Sequence, residues 1–236
     1  AVFQNQFAGR AFASLRNFND GRFEVVWRQA EPGSNNTAAQ YQLFDTRTTA
    51  SPLSGSSTYM SLLGGTPYAD TITTNYSGSI VEGGAGADTL RANVTTYYAN
   101  LNPPTLSYAH SPAGVTVDLN TKAANGGDAE GDIISGSFYN IIGSEFADHL
   151  TGTATTAPNA LYSNIFKGNG GNDTLIGNGG NDLAAYDGDA ANYNIKIGSD
   201  GSVTVQDMRE GSPDGTDTLY GVTNLQFWDR LVTLKT

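Results

Sequence analysis

Five aspartates, Asp70, Asp88, Asp148, Asp173 and Asp182, share one local pattern. Each follows a glycine-bearing stretch and precedes by two positions an apolar residue: Ile72, Leu90, Leu150, Leu175 or Ala184. A short carboxylate next to backbone carbonyls freed by glycine turns is an all-oxygen ligand set. Hard divalent cations take such sets, with roughly six to eight oxygens each. The spacing has a fixed length. Gly83–Arg91 (GGAGADTLR) fits the nonapeptide G-G-x-G-x-D-x-U-x at every fixed position, U being a large apolar residue.

The register extends in both directions. Residues 65–73 place Asp70 sixth and Ile72 eighth, and residues 74–82 place Ser79 and Val81 there. A second run over 159–185 puts Asn164, Asp173 and Asp182 sixth and Phe166, Leu175 and Ala184 eighth, while a single copy at 143–151 supplies Asp148 and Leu150. A surface loop rich in Gly and Asp has no reason to hold apolar residues in step over two runs.

Six glycine-rich residues make a turn, and three residues with a central apolar side chain make a short strand. Turn, strand, turn, strand winds a coil of two nonapeptides per turn. Eighth positions then point inward, and sixth positions line the edges. Beside them lie the carbonyls of Gly65, Gly83, Gly84, Gly86, Gly168, Gly170, Gly171, Gly177, Gly179 and Gly180. Calcium fits such an edge. The two-nonapeptide period pairs Asp70 with Asp88 and Asn164 with Asp182. Taking 152–158 as a shortened half-turn puts Asp148, Asn164 and Asp182 on one edge. Asp173 then falls on the other, with Asp187 or Asp189 as the next carboxylate. Asn164 and Ser79 replace the carboxylate in their repeats, and Pro67 and Tyr68 stand where glycines are usual. The Asp70–Asp88 site is therefore expected to be weaker than those at Asp173 and Asp182.

The flanks read as β structure. Arg22–Gln29 and Gln40–Asp45 suggest an antiparallel hairpin, Gly114–Leu119 turns Val115, Val117 and Leu119 inward, and a hairpin is expected around Asp200-Gly201. No segment keeps a helical apolar period. The reading is all-β: a right-handed parallel β-roll with flanking antiparallel strands. A strand-rich segment at 1–50 is separated from the repeat region, 63–236, by the Ser/Thr-rich Thr46–Leu62.

Composition agrees. Gly supplies 29 of 236 residues, above the usual share of about 7%. Lys and Arg number 12 against 23 Asp and Glu, a net charge of −11, which argues against nucleic acid as a partner. Cysteine is absent, which removes disulfides and thiolate chemistry. No apolar run reaches the roughly 20 residues of a membrane span. A start at Ala1 is expected of a processed product or a piece of a longer chain.

From Gly65 onward the chain resembles the C-terminal region of RTX (repeats-in-toxin) proteins, secreted by bacteria through type I machinery. The nonapeptides carry the likeness. The order Ser111–Leu119 (SPAGVTVDL), Gly126–Ser135 (GGDAEGDIIS), Asn140–Gly152 (NIIGSEFADHLTG), then Asp214–Leu219 (DGTDTL) and Val222–Asp229 (VTNLQFWD) adds to it. The resemblance implies calcium binding, folding after export into an extracellular or cell-surface setting, and a secretion signal near Phe227–Thr236. It implies no single activity.

Nothing suggests catalysis in this chain. The only histidines are His110 and His149, the latter expected to face outward beside Leu150. There is no H-E-x-x-H, no G-x-S-x-G and no Asp-Pro step. Asp128, Glu130 and Asp132 read as a separate acidic loop, and Tyr97, Tyr98, Tyr108, Tyr139 and Trp228 as packing residues rather than a sugar platform. The expected role is a calcium-structured, non-catalytic folding module. The alternative is a carbohydrate- or surface-binding module of an adhesin or of a polysaccharide-modifying enzyme of the alginate epimerase type.

Overall fold

The computed structural model describes the backbone of strands 11–17, 22–30, 37–45 and 54–57, and residues 62–94, 103–154 and 163–234 throughout. The chain divides into two compact units, Ala1–Ser51 and Pro52–Thr236. The first holds a three-stranded antiparallel sheet of Ala11–Asn17, Arg22–Ala30 and Thr37–Asp45. The expected hairpin is its second and third strands. Ala11–Asn17 is an additional strand that alternation did not single out.

The second unit is built from strands of three to five residues. Its longest sheet has eight strands, in spatial order Leu62–Gly64, Ile80–Glu82, Thr105–Ser107, Asn140–Ile142, Ile165–Lys167, Leu183–Ala185, Asn224–Gln226 and Leu231–Thr233. All pair in parallel except the last, which runs antiparallel. Between most successive strands of this sheet the chain crosses to one of two others; between Thr105–Ser107 and Asn140–Ile142 it visits both, and Asn224–Gln226 leads straight into Leu231–Thr233. The four-stranded sheet stacks Ser54–Ser57, Thr71–Thr74, Thr89–Ala92 and Ile133–Gly136 in parallel. The seven-stranded sheet has a parallel centre, Thr116–Asp118, His149–Thr151, Thr174–Ile176 and Thr216–Tyr220. Ala123–Asn125 closes one side of it, and the Tyr193–Ile197/Val203–Asp207 hairpin the other, both antiparallel. The described residues are all-β with mixed sheets. Their only helical pieces are two 3-10 turns, Gly127–Ala129 and Ala190–Asn192, and no helix among them is long and apolar enough to cross a membrane.

A three-residue strand presents only its central side chain to one face, because successive side chains alternate. The core is therefore one residue deep per strand. Ile72, Val81, Leu90, Leu150, Phe166, Leu175 and Ala184 are all 2% exposed or less, as the eighth-position pattern required. Val115, Val117 and Leu119 join them. Burying each larger side chain contributes roughly 1.5–3 kcal/mol. The register follows the two-nonapeptide period where the repeats are continuous, with Ile72 opposite Leu90, Leu62 opposite Ile80 and Ile165 opposite Leu183.

Candidate metal centre

Where a strand begins, its first backbone N–H must find an acceptor on the next rung. On the two shorter sheets a carboxylate provides it. The N–H of Asp70 donates to Oδ1 of Asp88 at 2.7 Å, and that of Asp88 to Oδ1 of Asp132 at 2.8 Å. On the seven-stranded sheet the N–H of Val115 donates to Asp148 Oδ1 at 2.7 Å. The Asp148 N–H donates to Asp173 Oδ1, and the Asp173 N–H to Asp217 Oδ1, each at 2.9 Å. Two ladders of buried aspartates result, each stitching adjacent rungs through one oxygen. Each ends near a phenol. The Tyr108 hydroxyl donates to Asp132 Oδ2 at 2.9 Å. Tyr186 lies beside Asp217 without a well-formed hydrogen bond.

The second carboxylate oxygen turns back into the glycine turn that precedes it. A Cβ placed on Gly83, Gly168 or Gly177 would stand 2.1, 1.9 or 2.3 Å from Oδ2 of Asp88, Asp173 or Asp182, so only glycine leaves that niche open. At Gly177 the carbonyl oxygen of Gly221 shares the niche, 2.8 Å from the same point. The Oδ2 atoms of Asp88, Asp173 and Asp182 are buried and have no hydrogen-bond partner among the described residues. A buried anionic oxygen without a donor is costly to maintain. An ion bound there would draw on carbonyl oxygens as well as carboxylates, since no three His, Asp or Glu side chains among the described residues group to hold a metal.

Burial without a counter-charge raises the affinity of these groups for protons. Burial, with Asp217 close by, pushes Asp173 up to about 8. Asp88 and Asp217 rise to about 7, and Asp132 and Asp182 to about 6, burial leading in each and N–H donors partly opposing it. Asp148 is also raised by burial, against the N–H groups of Val115 and Ser144.

The structure brings together Asp70 with Asp88, and Asn164 with Asp182, whose Oδ1 accepts the Asn164 amide at 2.8 Å. It corrects the edge assignment of Asp148. This residue stands in line with Asp173, not with Asn164 and Asp182. His149–Thr151 and Ile165–Lys167 stand in different sheets, and the half-turn expected at 152–158 lies partly outside the described residues. Asp187 and Asp189 are likewise not the next carboxylates after Asp173. Both are exposed, Asp187 pairs with Lys167 at 2.8 Å, and Asp217 occupies the ladder position.

Two ladder members, Asp132 and Asp217, fall outside the nonapeptide pattern because no glycine-rich turn precedes them in register. The surviving signal is the Asp-x-apolar triplet: Asp132-Ile133-Ile134 and Asp217-Thr218-Leu219. Each lies 44 residues after its ladder neighbour. The rest of the acidic loop has local uses, since Glu130 accepts the Gly126 N–H and the Asp128 N–H donates to Ser111 Oγ. His149 is exposed as expected, Tyr108 is buried and Trp228 is 49% exposed. Tyr97 and Tyr98 lie outside the described residues. The chain matches no protein-family model, and none of the curated proteins matches it.

Proposed function

We propose that the 63–236 region is a calcium-dependent folding module: a parallel β-roll of the RTX type, non-catalytic, from a secreted bacterial protein handled by type I export machinery. One observation carries the reading. Three aspartates bury an oxygen that no donor among the described residues satisfies, each in a niche that a glycine keeps open, and at Asp182 a carbonyl oxygen enters the same niche. Calcium accepts mixed carboxylate and carbonyl oxygen at flexible geometry, and bound there it would supply the positive charge these groups lack. Asp88, Asp173 and Asp182 would hold the ions, with Gly221 contributing at Asp182. A ligand that binds only the folded state stabilises it by about 2.7 kcal/mol per site at a hundredfold excess over Kd. Three sites together approach the whole margin of a small domain, roughly 5–15 kcal/mol.

Circular dichroism in chelator and with added calcium tests this. The expected result is little ordered β signal in chelator and a cooperative gain with calcium. Magnesium should substitute poorly, because it demands tight octahedral geometry. A spectrum and melting point indifferent to chelator would overturn the proposal.

A further inference from the structure

We infer that the second residue of each glycine-rich turn selects whether that turn takes a cation. The inference rests on the calcium reading and divides the turns into two groups. In the first group the second residue carries a hydroxyl. The Thr66 N–H and hydroxyl both donate to Asp70 Oδ2, at 2.6 and 2.7 Å. Ser144 donates its N–H to Asp148 Oδ2 at 2.6 Å and its hydroxyl to Oδ1 at 2.9 Å. Thr153, which follows Gly152 and is not the second residue of 159–167, plays the same part and donates both groups to Asn164 Oδ1, at 2.9 and 3.1 Å. In the second group the second residue is Gly84, Asn169 or Asn178. The sixth-position aspartates of these turns, Asp88, Asp173 and Asp182, are the ones with an unpartnered Oδ2.

Backbone conformation separates the groups in the same way. Gly84, Asn169 and Asn178 have φ of 85°, 68° and 67°, whereas Thr66, Ser144 and Thr153 are not among the residues with positive φ. The left-handed region is open to Gly and tolerated by Asn, but unfavourable for a β-branched residue such as Thr. With negative φ the second N–H meets the sixth-position side chain, and the hydroxyl joins it. Two donors then stand where a cation would otherwise be needed. With positive φ neither donor reaches Oδ2, and the Asn amides go elsewhere: Asn169 to Gly143 O at 2.7 Å and Asn178 to Gly152 O at 3.2 Å. The turns at Asp70, Asp148 and Asn164 are thus closed by the chain itself. Those at Asp88, Asp173 and Asp182 are open, and each takes one ion.

The test is calcium stoichiometry on the full chain by titration calorimetry. It is paired with the concentration of trimethylamine N-oxide, an osmolyte that favours the compact state, needed to fold each protein in chelator. Asn178→Thr should close its turn, bind one ion fewer and fold at lower osmolyte. Gly84→Thr should do the same at Asp88, because a Cβ in the present conformation would stand 2.6 Å from the Thr66 carbonyl oxygen and drives the turn out of the left-handed region. Ser144→Asn should open its turn and add one ion. Unchanged stoichiometry in both threonine variants, with the parent binding calcium, overturns the inference and leaves the calcium reading intact. A parent chain that binds no calcium overturns the calcium reading. The selector then falls with it, because no turn takes a cation.

Discussion

Asp207 and Asp173 are both buried in the same unit, 3% and 2% exposed, yet their electrostatic circumstances are opposite. At Asp207, in the C-terminal hairpin, Arg209 closes a fork onto the carboxylate, Nε at 3.0 and 3.1 Å and Nη2 at 2.7 Å. The N–H groups of Arg209 and Asp214 add two more donors at 2.9 and 3.0 Å. Burial raises the pKa of Asp207, but these donors outweigh it and hold the carboxyl below its ordinary value. The same guanidinium lies 2.9 Å from Asp214 and over the Tyr193 ring, and the Tyr193 hydroxyl donates to Asp214. In the coil, Asp173 has no such partner, and burial beside Asp217 raises it to about 8. The hairpin carries its own cation on a side chain; on the calcium reading, the coil edges leave that charge to an external ion. A three-residue strand between tight turns has room for carbonyls and a carboxylate, but not for a guanidinium on every rung.

The largest effect that would break this contrast is expected at the core they share. Leu175→Asp buries an unpaired charge and removes a fully packed side chain, so a loss of about 4 kcal/mol or more is expected. Excess calcium should fail to restore the circular dichroism signal, whereas it restores the parent.

Next is the internal cation. Arg209→Met leaves Asp207 and Asp214 without their partner, and breaking such a pair costs about 3–5 kcal/mol. Urea titration with saturating calcium should show the full loss, because the proposed ion sites are elsewhere. A variant rescued by calcium would erase the distinction between hairpin and coil.

The pH dependence sharpens the comparison from the coil's side. Folded-state values of about 7 for Asp88 and Asp217 and about 8 for Asp173 lie above the unfolded value of about 3.9. The folded chain therefore holds more protons than the unfolded one. The cation-free stability that these three groups contribute is fully present below about pH 4 and is lost as pH rises to about 8. In chelator with osmolyte, folding should weaken over that interval by at least about 3 kcal/mol, each pKa unit counting about 1.4 kcal/mol. Calcium binding should release protons and tighten as pH rises, and a flat profile in chelator would show that these carboxylates are satisfied by other means.

Asparagine substitution separates the two aspartates directly. Asp173→Asn keeps the Oδ1 acceptor and removes the charge, so at pH 9 in chelator with osmolyte it should stabilise by about 1 kcal/mol while losing one ion. Asp207→Asn should destabilise under every condition. The smallest effect is expected at Ser79, whose hydroxyl is buried and unpartnered. Ser79→Ala should change the urea midpoint by no more than about 0.5 kcal/mol, toward stability if at all.

Much of this was local enough to read along the chain. A glycine-rich hexapeptide followed by an apolar-centred triplet determines a turn and a strand whatever surrounds it. The inward stack Ile72, Leu90, Leu150, Phe166 and Leu175 and the carboxylate positions before those strands follow from spacing alone. The second-to-sixth-position contacts of Thr66 with Asp70 and Ser144 with Asp148 are also local, four residues apart. Which rungs touch was decided only by the tertiary structure. Asp148 meets Asp173 across 25 residues, and Asp88 and Asp173 meet Asp132 and Asp217 across 44. A crossing can admit the hairpin paired through Val117 and Ala124 without changing the strand it leads to. Interstrand hydrogen bonds, not residue count, fix the neighbour. So the sequence by itself determined that carboxylates would line the coil. Only the folded stack decided which of them face one another, and which keep an oxygen that no described residue satisfies.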